Sequence, residues 1–180
     1  MVIGTKKLLE LVKTQNLIEG LSERELTNPE GTGFDLRLGA VHKLIGKEAF
    51  LGVSERGTPE MEKIAEHGKD KSFTLMPGEY VITETIEKIN TPDDMLALFR
   101  PRGTLYRSGV MLYTGNCSPG YAGKLFFGMK NHGTVPLTIE LGARFVHVMF
   151  YAIQGDIAQR YRGQWQHGIN STQGVIEKQV

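Results

Sequence analysis

Residues 100–131, RPRGTLYRSGVMLYTGNCSPGYAGKLFFGMKN, decide how the chain is read. Three arginines, Arg100, Arg102 and Arg107, fall within eight residues. An apolar run from Val110 to Tyr113 follows, then a Gly/Asn/Cys/Ser/Pro turn, then a second run from Lys124 to Met129. Short apolar runs separated by such turn residues predict strands. Guanidinium forks beside small turn residues suit an oxyanion such as a phosphate ester.

The same rhythm extends in both directions. Upstream, Phe73 to Ile89 carries a Pro77-Gly78 turn and then alternates around Tyr80 and Ile82, and Thr91-Pro92-Asp93-Asp94 reads as a turn before a strand from Met95 to Phe99. Downstream, Val135 to Glu140 and Arg144 to Ile153 predict further strands. A spacing of about ten residues between turns is the pattern of a sandwich or barrel. Phe34 to Leu44 alternates, with Phe34, Leu36 and Leu38 on one face and Asp35 and Arg37 on the other. Near the N-terminus, Leu8, Leu9, Leu11 and Val12 predict a helix over about 5–14, with Thr5 as its cap. Residues 20–33 read as loop. Residues 46–72 read as an insertion whose charged part, Glu55 to Lys71, has room for a short helix. Gln154 to Val180 is polar and hardly periodic, an arm rather than core.

Composition narrows the classes. A chain of 180 residues suits one domain, 1–180, with 153–180 as the arm. A net charge of +1 supplies no global field for nucleic acid or an anionic membrane. One cysteine excludes an internal disulfide and a cysteine-based zinc cluster. No apolar run approaches the roughly 18–20 residues of a membrane span, and the N-terminus lacks a signal-peptide pattern, so a cytoplasmic protein is expected.

Five constellations carry chemistry or its alternatives. Arg102, Gly103, Thr104 and Arg107 can hold phosphate oxygens through guanidinium, backbone N–H and hydroxyl groups, or form a surface or subunit ion-pair set. Asp35 and Arg144 suit a partly buried structural pair. His147 lies among apolar residues and reads as a hydrogen-bonded core or interface histidine. Cys117 lacks a base to activate it as a nucleophile. In the tail, Tyr161, Trp165 and Gln166 suit a lid over a planar base or an arm docked on a neighbouring subunit.

Taken in order, FDLRLG (34–39), the run from Tyr80 to Leu112, SPGYAGKL (118–125), NHGTVPLTIELGAR (131–144) and YRGQWQ (161–166) resemble the motifs of the dCTP deaminase/dUTPase superfamily. The likeness is to the dCTP deaminase-like branch, including its archaeal members. It implies an all-β, distorted jelly-roll barrel with a short N-terminal helix and a C-terminal arm. It also implies a homotrimer with three sites at subunit interfaces, and a pyrimidine deoxynucleoside triphosphate ligand with Mg2+ on its phosphates. No protein-bound metal is implied.

By the same resemblance, Arg102, Gly103 and Thr104 fall on the family's Arg-Ser-Ser phosphate motif, and Arg107 on the arginine beside the catalytic carboxylate. Gly115, Asn116 and Cys117 fall where backbone groups read the base and sugar. Ser118 stands at the position of the Asp in the Ile-Asp-Pro-Gly motif, and Trp165 and Gln166 on the tail's aromatic–Gln motif. The departures bear on chemistry. Gly128 stands where deaminating members carry Glu, and neither it nor Lys130 can activate water as a carboxylate does. Ser118 holds water but accepts a proton poorly. Gly103 replaces a serine, His147 a glutamine, and Gln164 a lysine of some members. The resemblance therefore leaves three readings: hydrolysis of dUTP to dUMP and pyrophosphate, deamination of dCTP to dUTP and ammonia, and a non-catalytic nucleotide-binding or interaction trimer.

Overall fold

The computed structural model describes residues 1–179. Its N-terminal helix, α1 (Thr5–Gln15), turns Leu8 and Leu11 onto the core. Gly4 is its N-cap and Thr5 its first helical residue, so no side chain caps it. Asn16 closes it at φ 55°, a left-handed conformation that asparagine tolerates. β1 (Ile18–Glu19) follows, then α2 (Glu23–Thr27) and the long β2 (Gly33–Leu44). The insertion contains β3 (Phe50–Leu51), β4 (Glu55–Gly57) and β5 (Met61–Glu66). β6 (Ser72–Leu75), β7 (Tyr80–Asn90) and β8 (Met95–Pro101) lead to a one-turn helix, α3 (Gly103–Arg107). β9 (Val110–Tyr113), β10 (Asn116–Cys117), β11 (Ala122–Asn131), β12 (Leu137–Glu140), β13 (Arg144–Ala152) and β14 (Glu177–Lys178) complete the chain.

The main sheet has nine strands, with the path β10-β8-β13-β2-β7-β11-β9 and with β1 and β5 joined to β7 and β2. Every pairing along it is antiparallel, and bulges between Leu38 and Ala40 and between Lys124 and Phe126 help it curl. The curl makes the all-β jelly-roll architecture implied above. Its interior holds Phe34, Leu36 and Leu38 from β2, Val146, Val148 and Phe150 from β13, and Phe127 from β11. Phe127 meets Phe99 edge-on at 5.1 Å and Phe145 at 6.1 Å.

Two segments differ from the sequence expectation. Residues 20–33 contain α2, whose N-cap Ser22 accepts from the backbone N of Glu25 at 3.4 Å. Five residues are too few to display a helical period. The charged stretch of the insertion forms strands, with β5 along β2 and β4 between β3 and β14. β5 is an edge strand that buries Ala65, while its charged residues face outward. Charge is what an edge strand carries, and it masked the alternation.

Candidate functional site

β10 and the turn after it form the floor of a cleft of about 320 Å³. Gly115, Asn116, Cys117 and Ser118 line it on one side, and Ile82, Phe99 and Phe126 on another. The arm supplies its outer wall through Tyr161, Trp165, Ile169 and Asn170. Four consecutive residues reach one cleft because β10 pairs with β8 for only two positions, Asn116 with Leu98 and Cys117 with Ala97, and then turns away. Asn116 Nδ2 lies 3.3 Å from Ser118 Oγ, so amide and hydroxyl orient each other at the mouth. Among the described residues no carboxylate, imidazole, amine or guanidinium lines this cleft. Apolar walls with a few amide, hydroxyl and backbone groups suit a flat, polar-edged ring.

Cys117 is 5% exposed and free. Burial pushes its thiol up to about 12, so it stays protonated and unreactive near neutral pH. Titration with a disulfide reagent near neutrality should leave Cys117 unlabelled in the folded protein and label it fully in denaturant. Rapid native labelling would show a solvent-accessible thiolate instead.

The arm is held by the chain's own insertion. Arg56 of β4 lies over the Trp165 ring, 4.1 Å from its centroid, and pairs with Glu177 at 3.2 Å. Thr58 N donates to Thr172 Oγ1 and Thr172 N to Thr58 Oγ1, each at 2.9 Å. Gln166 is fixed to the turn before β11: its Oε1 accepts from Ala122 N at 3.0 Å and its Nε2 donates to Gly120 O at 2.8 Å. Trp165 therefore faces the cleft, while the amide of Gln166 binds backbone.

The arginines occupy another part of the chain. Asp35, 3% exposed, accepts from Arg102, from Arg144 at 3.0 Å and from His147 Nδ1 at 2.8 Å. The expected Asp35–Arg144 pair is thus present, with Arg102 and His147 added to it. Burial raises the Asp35 carboxyl, but the His147 hydrogen bond and the charges of Arg102 and Arg144 outweigh it and hold the group below its ordinary value. Glu25 closes this cluster from α2, accepting from Asp35 N at 3.1 Å. Arg107 lies in α3 beside the Tyr106 ring, 5.2 Å from its centroid. Gly103 and Thr104 begin that helix. A Cβ on Gly103 would stand 2.5 Å from Arg107 Nη1, the free end of a flexible side chain that would have to swing aside. Arg102, Gly103, Thr104 and Arg107 are not among the residues lining the cleft.

Sequence reasoning missed a third cluster. Glu84 of β7 and His42 of β2 are each 7% exposed and join at 2.9 Å, with Lys124 of β11 on the other carboxylate oxygen. Burial pushes Glu84 up, but His42 and Lys124 together hold it below its ordinary value. These residues come from three strands and share no motif. Only the alternation that hides His42 and Glu84 from solvent could have signalled them.

Curled antiparallel sheet, docked arm and an uncharged, amide-edged cleft define a jelly-roll protein of the dUTPase-like class. The family model described as dCTP deaminase-like matches residues 2–153, and the chain belongs to that family. It is 34% identical over 133 residues to a Methanopyrus kandleri protein named "Probable deoxyuridine 5'-triphosphate nucleotidohydrolase", covering 74% of this chain and 84% of that one. It is 30% identical over 155 residues to the dCTP deaminase of Pyrococcus furiosus, covering 86% and 87% respectively. Among solved structures, the 2'-deoxycytidine 5'-triphosphate deaminase of Agrobacterium tumefaciens superposes with a TM-score of 0.63 at 16% identity. That match covers 83% of this chain and 48% of the other, so this chain spans about half its length.

Proposed function

We propose that this chain binds a pyrimidine deoxynucleoside triphosphate, with the base in the 115–118 cleft, and that its reaction is hydrolysis of dUTP to dUMP and pyrophosphate. One observation carries the reading: the cleft is ring-sized and edged by Gly115, Asn116, Cys117 and Ser118, with Trp165 against it. Relatives named for acting on dUTP and on dCTP support the substrate class. Deamination needs a general base at the pyrimidine, and the aligned position is Gly128. Phosphoryl transfer depends more on positioning and charge neutralisation.

Arg102, Gly103, Thr104 and Arg107 are the proposed phosphate-binding residues. Because they do not line the cleft of their own protomer, a homotrimer in which they serve a neighbour's cleft accounts for both halves of the site. Tyr106, Met111 and Tyr113, 57%, 53% and 45% exposed beside these arginines, offer apolar surface for that subunit contact. Among the described residues no group of three or more His, Cys, Asp and Glu side chains gathers to hold a metal. Mg2+ belongs in this reading to the nucleotide itself, on its phosphate oxygens. Ser118, at the position of the family's Asp, orients the attacking water through its hydroxyl.

A second reading, nucleotide binding without turnover, is favoured because no carboxylate among the described residues lines the cleft. Loss of an essential base lowers rates by about 10²–10⁴-fold. Purified protein should be incubated with dUTP and with dCTP in Mg2+, following pyrophosphate and ammonia. Pyrophosphate from dUTP without ammonia from dCTP is the expected result. Binding by calorimetry with neither product selects the second reading, and ammonia from dCTP would overturn both.

A further inference from the structure

The arm crosses the outer wall of the cleft between two anchors. On one side Gln166 is tied to Ala122 and Gly120. On the other, Ser171 is 7% exposed, its Oγ donates to Pro59 O at 2.6 Å, and Thr172 exchanges hydrogen bonds with Thr58. Ile169 and Asn170 stand between these fixed points, and both line the cleft. A short stretch pinned at each end has little freedom to drift, so Asn170 is presented to the cleft from a rigid backbone.

Among the described residues no charged side chain lines the cleft, so a base bound there must be read by neutral groups. Most of these are already engaged. Asn116 Nδ2 lies 3.3 Å from Ser118 Oγ, and the Tyr121 hydroxyl donates to Lys124 O at 2.6 Å. The Tyr161 phenol is held by the Trp165 backbone, and the Trp165 ring offers one N–H donor and no acceptor. Asn170 differs. Its carboxamide carries both donor and acceptor, and no hydrogen bond among the described residues engages it. An amide loose in solvent needs no ligand to account for that, but this one is half-buried in the wall of a ring-sized cleft.

We propose that Asn170 reads the edge of the pyrimidine and sets which bases the cleft accepts. This rests on the nucleotide reading above. Uracil presents an N3–H donor beside the O4 acceptor, and cytosine presents an N3 acceptor beside its N4 amino group. A carboxamide makes a pair of hydrogen bonds with either edge, because a half-turn exchanges its donor and acceptor. Asn170 is therefore a binding residue that admits both pyrimidines, and the choice of reaction falls to other groups.

The test is calorimetric titration of wild type and Asn170→Leu, in Mg2+, with the α,β-imido analogues of dUTP, dCTP and N3-methyl-dUTP, which resist cleavage. Trp165 emission is recorded for both proteins. Leucine keeps the approximate size of asparagine and removes both polar atoms. Asn170→Leu should keep the wild-type emission and weaken the dUTP and dCTP analogues about five- to hundredfold, as loss of a pair of neutral hydrogen bonds does. N3-methylation should weaken binding to wild type by a similar factor and to Asn170→Leu by much less, since both changes remove the same contact. Equal affinity of the two proteins for the dUTP analogue, or a methylation penalty as large in the variant as in wild type, would overturn the inference and leave the nucleotide reading intact. So would a red-shifted emission in Asn170→Leu, which would assign the residue to arm docking. A wild type that binds none of the analogues would overturn the reading itself and this inference with it.

Discussion

Asp35→Ala should destabilise the protein by about 2–4 kcal/mol, the range for removing one member of a buried, hydrogen-bonded charge cluster. The carboxylate is 3% exposed and its partners come from three separate elements: Arg102 after β8, and Arg144 and His147 on β13, with Glu25 of α2 bonding its backbone. Removing it leaves two guanidinium groups facing each other without the charge that joined them. Both are about a third or more exposed and can rehydrate in part, which keeps the cost below that of a fully sealed charge. Asp35→Asn should recover part of the loss by keeping an acceptor for His147. Urea unfolding of the three proteins measures this, and a difference within about 0.5 kcal/mol between wild type and Asp35→Ala would show the cluster to be energetically idle.

The same cluster sets a pH dependence with a definite sign. The folded Asp35 carboxyl lies below its ordinary 3.8, so folding favours the ionised form. Its contribution is fully present above 3.8 and is lost as pH falls through the lower folded value. The wild-type minus Asp35→Ala difference should stay flat from neutrality down to that range and shrink only in stronger acid. Because Arg102 belongs to this cluster, Asp35→Ala also frees a guanidinium for solvent or ligand. Its effect on nucleotide affinity would separate a phosphate-binding arginine from one held for structure.

Much of this architecture was legible where one face of a strand is buried. Phe34, Leu36 and Leu38 alternate with Asp35 and Arg37, and the strand is there because that pattern buries one side. Asp35 is buried as well, because α2 and its Glu25 cover the second face, and five residues of helix leave no periodic trace. The short helix that Glu55 to Lys71 suggests is absent for a related reason: an edge strand such as β5 needs few apolar residues, and the spacing of Lys63, Glu66 and Lys69 imitates a helix face. Gly115 to Ser118 line one cleft because they are consecutive in a turn that the sequence already marks. Arg56 on Trp165, Tyr80 on Gly128 and Glu84 with His42 were not legible, since each contact joins residues far apart in sequence that only the fold brings together.

Gly123→Ala is expected to release the arm. Gly123 has φ +149°, a region that side-chain-bearing residues rarely adopt. A Cβ there would stand 2.8 Å from the His167 carbonyl carbon and closer still to Gly168 N. These are backbone atoms, so no rotamer change relieves the clash, and either β11 or the 166–168 turn must move. At Gly123, β11 is held in register against Ile89 of β7. The turn is held by the Gln166 bonds to Ala122 and Gly120 and by the Arg56–Trp165 contact, and it is the part that yields. The cost is about 2–4 kcal/mol of arm docking, combining backbone strain with the lost hydrogen bonds. Trp165 is the only tryptophan, so its emission reports the event directly. Gly123→Ala should shift that emission to the red and expose the arm to protease while the barrel keeps its unfolding transition. Arg56→Ala removes only the ring contact and the Glu177 pair, so it should give a smaller shift. If the arm closes the cleft over a nucleotide, Gly123→Ala should also weaken nucleotide binding more than Arg56→Ala does. Wild-type emission and protease resistance in Gly123→Ala would show that β11 gives way instead, and that the arm is the more rigid partner.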